Sequence, residues 1–242
     1  MVEMMIKPDA RPLYAQVRDI LLQRINSGMW KPGSSLPSEN QLASELGVSQ
    51  GTVRKALDSL ADESVVERRQ GRGTFVVEHT TAHVLFKFFQ IYENSDDRVL
   101  PGVEKTHFGI RKATARVARR LSIDEGADVI VIDRVRTNKG VAFMVETVFL
   151  PLDLFPGLTQ RSELPNTLYD LFQRDFGITI SHVEEDLTAV GATKKQAGQL
   201  QIPVDTPLIK IDRIAFDIEG SPVEWRVSFF CTNGLKYRAK LK

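Results

Sequence analysis

The run RRQGRGTF, residues 68–75, sets Arg68, Arg69 and Arg72 around two glycines just ahead of Phe75, Val76 and Val77. Each guanidinium offers a planar fork of N–H donors that matches a phosphate, and a core strand has no use for three of them. Glycine takes φ > 0 without steric penalty, so Gly71 and Gly73 read as a tight turn that carries arginine out at its tip. A second polar group stands upstream, with Ser49, Gln50, Gly51 and Thr52 followed by Arg54 and Lys55. Gln50 can pair bidentately with adenine, and Arg54 and Lys55 suit guanine or phosphate. A third group lies in the apolar run VIVIDRVR, where Arg134 and Arg136 are two residues apart. That spacing puts both on one face of a strand, and paired guanidiniums there suit a phosphate or a carboxylate. The competing reading makes them a solvated strand face paired with surface carboxylates.

The elements around these groups follow from periodicity. Leu13, Val17, Ile20, Leu21 and Ile25 recur at helical spacing, so 13–27 reads as an amphipathic helix with Pro12 at its start. In SENQLASELG, Ser38 and Gln41 have capping-box spacing, Leu42 and Leu46 share a face, and Gly47 is a C-terminal stop. Ser49 can cap a third helix with the apolar stripe Val53, Ala56, Leu57 and Leu60. Two short helices joined by a turn of Gly47, Val48 and Ser49 form a helix-turn-helix pattern. The second helix of such a motif enters the DNA major groove by its N-terminal residues. Here that end is polar, Gly51 permits close approach, and the free N–H groups attract phosphate. The β-rich stretches 65–69 and 74–77 then make a hairpin, the wing of a winged helix. Arginine at its tip would fix register on the phosphates or enter a narrow minor groove.

Composition excludes several classes. The 242 residues carry 32 basic and 31 acidic side chains, a net charge of +1. Bulk charge therefore gives no support to a sequence-independent DNA binder, whose affinity comes mostly from phosphate neutralisation. Cys231, the only cysteine, precludes an intramolecular disulfide and fits a reducing cytoplasm. No run approaches the roughly 18 apolar residues of a membrane span, and residues 1–10 lack the apolar core of a signal peptide. No nucleophile–base pair, metal set or phosphate loop is visible, so neither catalytic residues nor a cofactor or metal is expected. His79 and His83 have i, i+4 spacing, but no third ligand completes a metal site, and both read as exposed connector residues. Cys231 beside Phe229 and Phe230 reads as a packed thiol, and Glu184, Glu185 and Asp186 as a solvated edge.

Beyond a connector at 78–88, the chain repeats itself. KATARVARRLSIDEGADVIVIDRVRTNKG (112–140) parallels GATKKQAGQLQIPVDTPLIKIDRIAFDIEG (191–220), with Asp133 and Arg134 matching Asp212 and Arg213. Each copy reads as helix, turn, strand, turn, strand, which argues for one mostly antiparallel sheet with helices on a face. The second copy keeps Arg213 but has Ala215 in place of a second arginine. Between the copies, PNTLYDLFQRDFG is an amphipathic helix with Leu168, Leu171, Phe172 and Phe176 on one stripe.

LPSENQLASELGVSQGTVRKALDSLADESVVERRQGRGTFV resembles the N-terminal domain of GntR-superfamily transcription regulators over about residues 12–77. The IDRVR and VETVFLP strands, FPGL at 155–158, TLYDLF at 167–172 and GSPVEW at 220–225 resemble the UTRA domain of the HutC subfamily, of chorismate-lyase-like fold. The resemblance implies an α+β chain with a winged helix-turn-helix DNA-binding domain at 1–77, a linker at 78–88 and an effector-binding and dimerisation domain at 89–242. It implies DNA contacts from Ser38, Asn40, Ser49, Gln50, Gly51, Thr52, Arg54, Lys55, Arg69, Gly71 and Arg72. Asn40 and Gln50 stand where family members commonly carry arginine. It also implies effector contacts from Arg134, Arg136, Glu146, Thr167, Tyr169, Glu224 and Phe230. The arginines would take an anionic group, Thr167 stands where the family often has an anion-binding serine, and Glu146 and Glu224 would accept hydroxyls. Phe230 replaces a common tyrosine, which favours a more apolar anion. The expected protein is a cytoplasmic, homodimeric repressor on a pseudo-palindromic operator, answering a small anionic metabolite. An enzyme of the lyase-like fold joined to a DNA-binding module, and a sequence-independent DNA binder, are the rival readings.

Overall fold

A computed structural model describes residues 11–239; the signal-peptide reading of residues 1–10 lies outside the described residues. The chain forms two compact units, divided between His79 and Thr80.

In the first unit, α1 (Leu13–Asn26) turns Val17, Leu21 and Ile25 inward. The second helix, α2 (Glu39–Leu46), opens on the expected capping box. The Gln41 N–H donates to Ser38 Oγ at 3.3 Å and the Ser38 N–H to Gln41 Oε1 at 2.8 Å, satisfying two otherwise orphaned donors. Gly47 ends α2 at φ 65°, a left-handed conformation that glycine adopts at little cost. Ser49 then caps α3 (Gln50–Asp62) by accepting the Thr52 N–H at 3.1 Å. Val53, Ala56, Leu57 and Leu60 of α3 are buried against α1 and α2. The strands β1 (Val66–Arg69) and β2 (Gly73–Val76) pair antiparallel with Arg69 opposite Gly73, so Gln70, Gly71 and Arg72 form the tip. The Leu36 N–H donates to Thr74 O at 2.8 Å and ties this hairpin to the segment entering α2.

In the second unit, α4 (Thr81–Phe88), β3 (Ile91–Glu93) and β4 (Gly102–Lys112) precede α5 (Ala115–Leu121), β5 (Asp128–Asn138) and β6 (Val141–Pro151). Two short 3-10 turns lead to α6 (Leu168–Phe176) and then to β7 (Ile180–Gly191), α7 (Lys194–Leu200), β8 (Pro207–Asp217), β9 (Pro222–Cys231) and β10 (Leu235–Tyr237). Six strands form one antiparallel sheet in the order β4-β5-β6-β9-β8-β7, while β3 and β10 pair separately. The sheet is the repeat made visible, because β4-α5-β5-β6 and β7-α7-β8-β9 meet at the central β6–β9 pair. Even the helix caps recur. Thr114 and Thr193 cap the two helices, and Ser122 and Gln201 end them in the left-handed conformation.

The sheet separates two layers of side chains. On one face, Val129, Val131 and Trp225 pack with Val117 and Leu121 of α5, and Val135, Val145 and Leu208 pack with Ala197 and Leu200 of α7. On the other, Ile130, Ile132, Val148 and Leu150 pack with Val84 and Phe88 of α4 and Leu168, Leu171 and Phe172 of α6.

Three expectations need correction. Most of the 78–88 connector is the helix α4, and Val84 and Phe88 belong to the core of the second unit. The stretch holds enough apolar side chains to bury one side of a helix, which overrides its reading as a linker. His79 is buried and His83 half-buried, rather than both exposed. Glu185 is not part of a solvated edge, because its carboxylate meets Arg213 of β8. Cys231 is buried in the cluster around Val135 and Leu208, as a packed thiol should be. Leu57 is 1% exposed at the centre of the first unit, so Leu57→Ala should cost about 2–5 kcal/mol of stability by leaving a cavity. Chemical denaturation of the first unit checks this; a loss below about 1 kcal/mol would place Leu57 outside the core.

Candidate functional site

In the first unit, the apolar stripe of α3 points inward, which leaves Ser49, Gln50, Gly51, Arg54 and Lys55 exposed and Thr52 half-buried. An open groove of about 600 Å³ runs from Ser38 and Asn40 past Gln50 to Arg69, Gly71 and Arg72 at the hairpin tip. Its organising residue is one that the sequence reading passed over. Glu39 accepts hydrogen bonds from Gln50 Nε2 at 3.2 Å, Arg54 Nε at 3.0 Å and Nη2 at 2.9 Å, and Arg68 Nη1 at 3.0 Å. These bonds, led by that from Arg54, hold the Glu39 carboxyl below its ordinary range. The bond to Nε2 also fixes the amide of Gln50, leaving its Oε1 and one N–H outward. Two predicted residues are held by other neighbours. Lys55 sits 4.3 Å over the ring of Tyr14, and Arg69 donates to Glu67 while covering Phe75 at 4.2 Å.

In the second unit, Arg134 and Arg136 share the sheet face of Ile130 and Ile132 and are 2% and 3% exposed. The solvated-face reading is thereby excluded. Neither guanidinium has a close carboxylate partner; the nearest ion pair is Arg136 Nη1 to Glu146 Oε1 at 3.8 Å. Their forks instead donate to main-chain carbonyls of the segment before α6. Arg134 reaches Pro165 O at 2.8 Å and Asn166 O at 3.2 Å, and Arg136 reaches Asn166 O at 3.0 Å. Arg134 Nε, Arg136 Nε and Glu146 Oε1 are buried without a hydrogen-bond partner. Buried polar atoms left unpaired are costly, and three of them cluster here. Burial pulls the Arg134 guanidinium down to about 10. Burial also pushes the Glu146 carboxyl up, but Arg226, Arg136 and Arg134 outweigh it and bring it to about 2. Glu146 therefore stays charged at neutral pH.

The repeat supplies the rest of the cluster with a twist of sign. The first hairpin sets Arg134 opposite Glu146; the second sets Arg213 opposite Arg226. Like charges facing across a strand pair are destabilising, and each of these arginines has its own carboxylate. Arg226 clasps Glu224 through Nε at 3.0 Å and Nη2 at 2.7 Å and reaches Glu146 at 3.3 Å. Arg213 donates to Glu185 at 2.6 Å and to Phe88 O at 2.5 Å. Tyr169 donates to Glu224 at 2.9 Å, and burial raises its phenol further above its ordinary range, so it is neutral. Thus Arg134, Arg136, Glu146, Tyr169 and Glu224 come together. Thr167 is buried beside them at the start of α6, its hydroxyl 3.3 Å from that of Thr81. Phe230 packs one step away with Met144 and Ile211. Arg226 escaped the sequence reading, although its place two residues after Glu224 signals a shared face.

Comparison with known proteins agrees with this architecture. Residues 13–76 match the model described as "Bacterial regulatory proteins, gntR family", and residues 98–235 match that of the UTRA domain. The Mannosyl-D-glycerate transport/metabolism system repressor MngR of Escherichia coli is 29% identical, over 94% of this chain and 95% of its own. The E. coli protein named "Probable transcriptional regulator PhnF" is 33% identical over 82% of this chain and 83% of its own. Among solved structures, PhnF from Mycobacterium smegmatis superposes with a TM-score of 0.55 at 25% identity, covering 93% of this chain and 99% of that one. Over the described residues no helix is long and apolar enough to cross a membrane. With a GntR helix-turn-helix ahead of a UTRA domain, and relatives that are repressors rather than enzymes, the chain belongs to the GntR family of transcriptional regulators.

Proposed function

We propose that this protein is a cytoplasmic repressor that binds a pseudo-palindromic operator as a homodimer and answers a small anionic metabolite held by Arg134 and Arg136. One observation carries the effector reading. Two arginines are buried side by side on a rigid strand, with stand-in carbonyls on their forks and both Nε–H groups unsatisfied. A carboxylate or phosphate displacing the Pro165 and Asn166 carbonyls would meet those donors with charge as well as geometry. Thr167 and Tyr169 line a small cavity together with Arg136.

For the operator, the groove between α3 and the hairpin supports a division of labour. Gln50, with its amide fixed by Glu39, suits adenine in the major groove. Arg54 spends its Nε edge on Glu39, which leaves Nη1 for a guanine or a phosphate. Ser38, Asn40, Ser49, Gly51, Thr52, Lys55, Arg69, Gly71 and Arg72 complete the surface, with the hairpin tip on phosphate or in the minor groove. A homodimer places two such surfaces on half-sites about one helical turn apart. The effector alters repression only through a difference in its affinity for DNA-competent and DNA-incompetent states.

Selection of an operator from random DNA, followed by gel shifts at several salt concentrations, tests the first part. Arg72→Ala should weaken binding across all sequences and lower the salt slope by about 1, whereas Gln50→Ala should relax preference at one base pair by about 1–3 kcal/mol. Equal behaviour of the two variants would remove the assignment. A thermal-shift screen of small organic anions tests the second part, because a ligand of the folded state raises its melting temperature. Arg134→Gln should abolish both the shift and the ligand's effect on operator affinity; an unaltered response would move the effector elsewhere.

A further inference from the structure

We infer that Arg226 sets the chemical class of the effector, withdrawing the pocket's carboxylates from hydroxyl recognition so that the site takes a monoanionic organic acid with an apolar body. This rests on the anion pocket proposed above and concerns what else that pocket admits.

A polyhydroxylated ligand needs free acceptors. Glu224 has little to give, since three of its four lone-pair sites are taken: Oε1 accepts from Tyr169 at 2.9 Å and Arg226 Nε at 3.0 Å, and Oε2 from Arg226 Nη2 at 2.7 Å. Glu146 gives Oε2 to Arg226 at 3.3 Å, and its Oε1, 3.8 Å from Arg136 Nη1, accepts no hydrogen bond. The pocket thus offers unpaired guanidinium N–H donors on Arg134 and Arg136, while its carboxylates spend much of their acceptor capacity on Arg226 and Tyr169. Both carboxylates are almost wholly buried, Glu224 at 0% and Glu146 at 4% exposed. The side chain of Arg226, at 15%, retains a path to the cavities on either side of it.

Charge leads the same way. The guanidiniums of Arg134, Arg136, Arg213 and Arg226 face the carboxylates of Glu146, Glu185 and Glu224, so four positive groups meet three negative ones. A ligand of charge −1 neutralises the excess. A phosphate monoester of charge −2 leaves one buried negative charge uncompensated, which is expensive in a water-poor site. The remaining walls are mixed: Val84, Phe88 and Leu168 give one cavity an apolar side beside Asn166 and Thr167, and Ile91, Met144 and Ile211 do so in the other beside Gln90 and Ser228. Against those apolar sides an apolar body gains what a hydroxylated one loses by desolvation.

Hexanoate, gluconate and glucose 6-phosphate separate these features. The first two share chain length and charge and differ in hydroxyls; the third adds a second negative charge. Calorimetric and thermal-shift titrations of the full chain should show hexanoate bound at least about tenfold more tightly than gluconate, with no shift from glucose 6-phosphate. Arg226→Ser frees Glu224 and Glu146, and should narrow the hexanoate-to-gluconate ratio about tenfold or more. Arg226→Lys keeps the charge but lacks the fork, and should give an intermediate ratio; it serves if the serine variant does not fold. A wild-type preference for gluconate or glucose 6-phosphate, or an unchanged ratio in the folded variants, overturns the role of Arg226 and leaves the anion pocket standing. If neither these three nor a panel of other small organic anions shifts the wild-type protein, the pocket reading fails and takes this inference with it.

Discussion

A guanidinium removed from water must find an acceptor, and that constraint organises the centre of the second unit. Arg134, Arg136, Arg213 and Arg226 rise from one face of one sheet. Two of them are fully answered by carboxylates and two are not. Arg213 and Arg226 are buttressed by Glu185 and Glu224, so they hold their place. Arg134 and Arg136 rest on carbonyls of the 165–166 segment, a weaker contact that carries no formal charge. The same constraint explains why the neighbouring α4 and α6 matter, since Phe88 O and Tyr169 both take part in the network.

The internal repeat gives this cluster its framework. Two copies of strand, helix and hairpin meet at β6 and β9 and reproduce each other down to the threonine caps and left-handed helix ends. Symmetry of backbone does not impose symmetry of charge. Glutamate lies opposite arginine in one hairpin and arginine opposite arginine in the other. The second arrangement stands only because β7 and β9 bring carboxylates to the same face. A duplicated scaffold thus carries one half whose arginines are paired with carboxylates and one half whose arginines rest on main-chain carbonyls.

The first unit uses charge differently. Arg54, Arg68 and Arg72 at its groove are exposed, and exposed ion pairs are worth little as stability. Their value lies in order. One carboxylate, Glu39, gathers Gln50, Arg54 and Arg68 at the mouth of a groove, and less side-chain freedom is lost when that surface meets a partner. Capping serves the same end. Ser38 and Ser49 define where α2 and α3 begin, and so which side chains stand at the exposed tip of each helix.

The capping box at Ser38, the glycine stop at 47, the α3 stripe and the arginine hairpin were all legible in the sequence, because each is a local pattern with a local cause. The repeat was legible too, and with it the antiparallel sheet and the helix over 168–176. Two outcomes depended on packing. Whether Val84 and Phe88 mark a connector or a core helix depends on an apolar face supplied by Ile130, Tyr169 and Phe172, far along the chain. Whether Arg134 and Arg136 lie on a wet surface or in a buried pocket depends on which sheet face α4 and α6 cover. The chain itself specified its helices, its hairpins and the spacing of its arginines, since backbone hydrogen bonds and side-chain periodicity act between near neighbours. Only the folded sheet decided which carboxylates those arginines meet, because Arg226, Glu146 and Glu185 lie far apart in the chain and share an environment solely through strand pairing.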